Sequence, residues 1–290
     1  MEAIKEILAK LQINSGHGFD KPLTEKEMEQ WKADTYNAME GNLHLSDGYN
    51  CDLCKNKGFT ASVRLNEQFG YYSNVLSPCK CEKARNALRR LNKSGLRNVV
   101  KDYTFEKYQT PEIWQQTIKE AALRFCEDEE NNWFFIGGAS GAGKSHICTA
   151  AAVHYIRDGK DCHYMLWRDE IAKVKAYIND PDEYGKIMKR LKETPVLYID
   201  DLFKNGKDRQ GNVEPPTAAD VQAAFEILNY RYNNPELVTI ISSERTISEL
   251  IDIDEAIAGR IAERSMGCGY CINLKKDRSR NWRLRGLGEI

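Results

Sequence analysis

Eight consecutive residues, Gly138-Ala-Ser-Gly-Ala-Gly-Lys144-Ser145, constrain this chain more than any other stretch. They satisfy the pattern G-x-x-x-x-G-K-[ST], a loop between a strand and a helix that closes around phosphate. Both flanks fit. Trp133-Phe-Phe-Ile136 is apolar and aromatic, as a strand entering the loop requires. Ile147, Ala150, Ala151 and Ile156 then space an apolar face along a helix from His146 to Arg157. The residue types follow from the chemistry. Glycines let backbone N–H groups wrap phosphate oxygens, and the helix N-terminus adds positive potential. Lys144 reaches the β- and γ-phosphates and Ser145 ligates Mg²⁺. The run Gly138, Ala139, Ser140, Gly141, Ala142, Gly143, Lys144, Ser145 and His146 is therefore the expected ATP-binding segment.

The rest of the nucleotide site is sought downstream. Val196-Leu-Tyr-Ile-Asp200-Asp201, with Asp200 lying 56 residues beyond Lys144, runs four apolar residues into two carboxylates. Asp200 is expected to hold Mg²⁺, directly or through water, and Asp201 to orient the attacking water. Between the motifs, Cys162–Trp167 reads as a further strand followed by a helical pattern from Asp169. That insertion separates AAA+ and RecA-like ATPases from simple nucleotide kinases. Another strand, Val238–Ile241, ends in Ser242-Ser243-Glu244. Ser243, with Ser242 close behind, is expected to be the polar sensor of the γ-phosphate or lytic water; a helix cap or turn is the alternative. The helical pattern Asp254–Arg264 sets Arg260 and Arg264 four apart on one face. In ring-forming ATPases an arginine here reaches a neighbouring subunit's γ-phosphate. Arg260 is preferred because Gly259 frees the backbone beside it, and surface salt bridging is the alternative. Tyr103–Tyr108 (YTFEKY) precedes a helix at 111–127 and either contacts adenine or packs in the core. From Tyr103 onward helical patterns alternate with short β-branched or aromatic runs, so the fold class is α/β with a parallel sheet.

Cysteine and charge patterns describe the remainder. The first ten residues carry Glu2, Lys5 and Glu6 where a signal peptide needs an apolar stretch, which points to a cytoplasmic location. No apolar run approaches the ~20 residues that span a bilayer, so no membrane partner is expected. Nine cysteines in a reducing compartment favour metal binding or burial over disulfides. Cys51-x2-Cys54 and Cys79-x-Cys81, with 24 residues between them, offer four thiolates for a closed tetrahedral Zn²⁺ site. Such a site folds a region too small for its own core; four unrelated thiols are the alternative. Cys268-x2-Cys271 has no second pair nearby and is read as structural. Residues 80–101 hold eight Lys/Arg against one acid, Glu82, either as a solvated helix or as a nucleic-acid surface. The tail 275–285 holds six against Asp277, with Trp282 among them, a mixture suited to sequence-tolerant binding of single-stranded DNA. Near the N-terminus, Ile4, Ile7, Leu8 and Leu11 stripe a short helix over 2–12, and Thr24 with Glu27 forms a capping box opening a second helix to about Gly41.

A cysteine-bearing N-terminal region leading to YTFEKY, GASGAGKS, VLYIDDLF, TIISSE and AIAGRIAER with a short basic tail resembles the DnaC/DnaI family of replicative helicase loaders. The likeness is greatest to their phage and prophage versions, with transposon helper ATPases as cousins. It is specific over 100–290, looser over 48–100, and extends to 1–47 only as a helical leader. The resemblance implies a AAA+ ATPase, weak until stimulated, that binds a hexameric DnaB-type helicase through its N-terminal region and helps place it on single-stranded DNA. It carries over Lys144, Ser145, Asp200 and Asp201, with Arg260 or Arg264 acting across a self-association interface. Sixteen residues follow the last expected strand, Tyr270–Leu274, too few for a helical lid, and loaders of this family are similar. The long polar loop 204–216 departs from the pattern. The expected organisation is an N-terminal helical arm for partner binding (1–47), a zinc-binding region with a basic linker helix (48–100) and a AAA+ parallel-sheet domain without a full lid (101–290). Two further readings stand beside the loader: a nucleotide-gated adaptor with little hydrolysis, and an ATPase helper of a transposase or recombinase.

Overall fold

In the second half of the chain the hydrophobic runs become strands buried on both faces, the signature of a sheet covered by helices on each side. The computed structural model describes residues 23–93, 102–206, 210 and 214–284. The expected helix at 2–12, part of loop 204–216 and the far ends of both basic segments lie outside these residues. The chain divides into two units, Met1–Cys79 and Lys80–Ile290.

The first unit contains helix α1 (Glu25–Ala38), the short helix α2 (His44–Asp47) and an antiparallel hairpin of β1 (Phe59–Asn66) and β2 (Tyr71–Pro78). Helix α1 starts as the sequence expects: the Thr24 hydroxyl accepts from the Glu27 backbone N–H, and Glu27 accepts from the Thr24 N–H at 2.8 Å. Its Asn37 makes two 2.9 Å bonds with the backbone of Ala61, standing in for a third strand beside β1. The turn-rich stretch 51–58 folds as a knuckle in which Lys55, Asn56 and Gly58 take left-handed backbone conformations.

The second unit is built on a five-stranded sheet in the order β4-β5-β6-β3-β7. Its strands are β3 (Trp133–Gly138), β4 (Cys162–Leu166), β5 (Val196–Asp200), β6 (Val238–Ser243) and β7 (Cys271–Leu274), and every pairing is parallel. Helices α3 (Cys81–Lys93), α4 (Ile113–Glu127), α5 (Lys144–Arg157), α6 (Trp167–Ala176), α7 (Pro181–Glu193), α8 (Ala218–Tyr232), α9 (Ile247–Ile251) and α10 (Glu255–Ser265) complete it. Trp133, Phe135, Trp167, Ile199, Phe203 and Ile241 belong to one continuous buried cluster. The basic segment does not begin as a linker. Its first part is α3, which buries Ala84, Ala87 and Leu88 and packs against α5 and β4, so the division between units falls at Cys79 and not near 100. Strand β6 lies between β3 and β5, and the register sets Gly137 opposite Ser243 and Gly138 opposite Leu274. All five strands therefore end on one edge, the carboxyl edge at which open α/β sheets bind ligands.

Candidate functional site: a phosphate loop facing a buried carboxylate

At that edge β3 runs into the loop Gly138–Ser145 and the loop into α5. Gly138 takes a φ of +109°, and a Cβ there would lie 2.0 Å from the Leu274 carbonyl oxygen, so only glycine fits. Gly143, with φ +83°, is the N-cap of α5 and aims the first-turn N–H groups into the loop. The Lys144 ammonium is buried and donates to the carbonyls of Gly138 and Ala139 at 3.0 and 2.7 Å. Burial holds its pKa below the ordinary lysine value, against the pull of Asp201 and Glu244.

Ser145 donates to Asp200 at 3.0 Å, joining the loop to the end of β5. Asp200 is only 5% exposed and accepts three more hydroxyl bonds: Tyr198 at 2.8 Å, Tyr164 at 3.0 Å and Ser242 at 2.5 Å. A carboxylate so surrounded is fixed in orientation. Of the two sensor candidates it is Ser242 that meets Asp200, and Ser242 also accepts from the Asp201 N–H at 2.9 Å. Ser243, the sequence's first choice, points elsewhere: its hydroxyl donates to the Leu202 carbonyl at 2.8 Å and accepts from the Arg245 N–H. Alternation along β6 separates the two, since neighbouring strand residues face opposite sides.

Asp201 sits just past the strand with φ +59°, and Phe203 shares that angle. Phe203 is held there by burial beneath Trp167, ring centroids 5.2 Å apart. This tight turn returns Lys204 onto Asp201 at 2.8 Å and onto Glu244 at 3.0 Å. Burial raises the Asp201 carboxyl above its usual range, with Asp200 and Glu244 adding to the rise and Lys204 opposing it. A cavity of ≈ 630 Å³ lies on this side, between Ser140, Lys204 and Glu244.

A second cavity, of ≈ 300 Å³, opens along the loop towards residues 103–109. There His146 stacks on Tyr103 at 4.6 Å and meets Tyr108 edge-on at 5.2 Å, while its Nε2 lies 2.9 Å from the Thr104 carbonyl. Tyr108 is buried, as the core-packing alternative expects, and Tyr103 and Tyr108 both line the cavity. The described end of the basic tail is largely exposed yet tied to the phosphate loop. The Trp282 N–H donates to Gly141 in the phosphate loop at 2.9 Å, and Trp282 and Arg283 line the same cavity.

Arg260 and Arg264 lie outside both cavities. Arg260 donates to Asn229 at 3.0 Å and stacks over Phe225, and Arg264 stacks over Tyr232. Sequence reasoning missed Tyr164, Tyr198, Lys204 and Glu244. Tyr198 could have been found, because it stands two residues before Asp200 on the same face of the strand. Tyr164 becomes visible only through the register that sets it opposite Tyr198.

The sulfur atoms of Cys51, Cys54, Cys79 and Cys81 all lie within 4.8 Å of one another, and all four residues are buried. Cys51 and Cys79 are 3.8 Å apart, far beyond a disulfide and close to the about 3.8 Å edge of a tetrahedron with 2.3 Å metal–sulfur bonds. N–H groups turn towards two of the sulfurs, Gly58 onto Cys54 at 3.3 Å and Arg85 onto Cys81 at 3.4 Å, as thiolate ligands require. The donor set fits Zn²⁺. Among the described residues no other such group of potential ligands occurs, and Cys268 and Cys271 are not part of one.

Residues 75–282 match the profile described as IstB-like ATP binding protein. The phage-like element PBSX protein XkdC of Bacillus subtilis (strain 168) is 31% identical over 242 residues, covering 78% of this chain and 83% of that protein. The replicative helicase loader DnaC of Buchnera aphidicola subsp. Schizaphis graminum (strain Sg) is 25% identical, covering 45% of this chain and 55% of the loader, so the match spans about half of DnaC. A crystal structure of DnaI superposes over 62% of this chain and 93% of its own, at 20% identity and a TM-score of 0.48.

Proposed function

The chain belongs to the IstB-like ATP binding protein family, and on that premise we propose that it is an ATP-dependent loader that binds a hexameric replicative helicase and helps place it on single-stranded DNA. The observation that carries the ATPase part is the Ser145–Asp200 hydrogen bond, which brings the two motifs to one point at the carboxyl edge. The loader part is supported by the likeness to DnaC.

The chain's own groups divide the work. Loop N–H groups and the N-terminus of α5 hold the phosphates. Lys144 exchanges the carbonyls of Gly138 and Ala139 for β- and γ-phosphate oxygens. Ser145 and Asp200 would hold Mg²⁺, which when bound neutralises charge on those oxygens. Tyr164, Tyr198 and Ser242 keep the Asp200 carboxylate from rotating. Asp201 orients the attacking water, and Lys204 fixes Asp201. Arg260 or Arg264 serves a neighbouring copy. The four cysteines hold a structural Zn²⁺ in the region before the ATPase domain, and the N-terminal segment meets the helicase. No described helix is long and apolar enough to cross a membrane, and we place the protein in the cytoplasm.

The test is co-purification of the full chain with the host's purified replicative helicase under ATP, under ADP and with Lys144→Ala, alongside phosphate release with and without single-stranded DNA. A helicase complex that needs ATP and Lys144, with release stimulated several-fold, is expected. A chain that ignores the helicase but co-elutes with a transposase would establish the helper reading that the IstB-like match also favours. Release at background under every condition would leave a nucleotide-gated adaptor.

A further inference from the structure

The basic tail has a course that its composition does not announce. After β7, Asp277 accepts from the Ser279 N–H at 2.9 Å and starts two short 3-10 turns, Arg278–Arg280 and Trp282–Leu284. Three anchors pin this strap. Lys276 pairs with Glu249. The Arg280 guanidinium sits 5.1 Å from the centre of the Trp114 ring, beside the start of α4. The Trp282 N–H then bonds to the Gly141 carbonyl in the phosphate loop.

The seat at Gly141 is shaped for the strap. A Cβ on Gly141 would fall 1.9 Å from the Asn281 carboxamide oxygen. That same oxygen accepts from the Arg283 N–H at 3.1 Å and so holds the final turn. One side-chain atom thus fills the space of a missing methyl and orders the two residues that face the ≈ 300 Å³ cavity. Tyr103, Tyr108 and His146 stand among the other lining residues, together with Lys107 and Lys144. The cavity therefore combines aromatic faces with cations, as a purine carrying a polyphosphate requires.

We propose that the strap Asn281–Arg283 is part of the nucleotide site, with Trp282 supplying an apolar face to the purine and Arg283 a positive charge to the phosphates. The inference rests on the phosphate-loop reading of Gly138–Ser145 and extends it to residues that no nucleotide motif contains. In this reading Trp282 is a base-contacting residue and not a platform for DNA. Seating of the strap and occupancy of the cavity reinforce each other.

The full chain titrated with a fluorescent ribose-labelled ATP in Mg²⁺ tests this. Trp282→Ala is expected to raise Kd about tenfold, consistent with loss of one base–aromatic contact. Trp282→Phe should stay within about threefold, since it keeps a flat face, and Arg283→Ala should weaken binding severalfold. As an independent readout, unlabelled ATP should change the tryptophan emission of the unaltered chain, and Trp282→Phe should remove that change. Trp282→Ala within twofold of the unaltered chain, while Lys144→Ala abolishes binding, overturns the strap alone. Full binding by Lys144→Ala overturns the phosphate-loop reading, and the strap with it.

Discussion

Every residue of β3, β5 and β6 in the second unit is buried, whereas in the β1–β2 hairpin of the first unit only Ala61 is. Phe59, Leu65, Tyr71 and Leu76 of that hairpin remain exposed. One unit is thus held by area removed from water, on the order of 25 cal/mol per Å². The other cannot be, and small units that bury little surface need a covalent or metal staple. The four convergent sulfurs offer the donor set for such a staple, three of them from this unit. On the zinc reading proposed above, one chain draws on two sources of stability, which should respond to different insults.

The largest expected effect follows from removing the staple. Cys51→Ser with Cys54→Ser should reduce bound zinc from one per chain to none and erase amide-exchange protection in β1 and β2. A structural zinc is worth on the order of 10 kcal/mol to such a region. ATP binding by the second unit should change less than twofold. One zinc still bound by the double variant would refute the assignment, and loss of protection in β3 and β5 would break the contrast.

The converse sharpens it: a polar change at the site on the rigid sheet should alter rate without altering stability. Lys204→Met removes the cation that faces both Asp201 and Glu244. Phosphate release should fall about tenfold, as for loss of one preorganised charge contact, with the melting temperature moving by less than about 2 °C. Lys204→Arg should recover part of the rate. A Met variant that melts far lower at normal rate would make Lys204 a structural residue.

The smallest effect concerns a surface bond in the second unit. Tyr270 donates to Asp128 at 2.8 Å and is the main cause holding that carboxyl at about 2, below its ordinary 3.8. A depressed carboxyl pKa stabilises the fold above the unfolded value and loses that contribution as pH falls through the folded one. Tyr270→Phe should therefore lower the melting temperature slightly near pH 7, by about 2 °C, and the difference should vanish towards pH 2. A gap that persists at pH 2, measured by thermal melts across the range, would show that the hydroxyl acts by some route other than this carboxylate.

What the sequence revealed and concealed follows the range of the interactions. The phosphate loop was legible because its chemistry lies in eight adjacent residues, and Asp200 because an apolar strand leads into it. The capping box of α1 was equally local. The choice between Ser242 and Ser243 was not, since it depends on which face of β6 meets β5. Lys204 depended on two left-handed residues that reverse the chain after β5. The bond from the Trp282 backbone N–H to Gly141 was not legible either, because composition does not say what a tail docks against. The boundary at Cys79 was hidden for a similar reason: the positive charges of α3 mask the small apolar face of Ala84, Ala87 and Leu88.

The turn at Asp201 and Phe203 also bears on how an inactive but intact form of the protein should be made. At φ +59° a residue is selected for its backbone as well as its side chain. A β-branched or bulky replacement at Asp201 would confound lost chemistry with a reshaped loop, and alanine would trade one problem for the other. Asparagine tolerates the same conformation and nearly the same volume. If Asp201 orients the attacking water as proposed, Asp201→Asn is accordingly the replacement that removes its charge with the least disturbance of the turn.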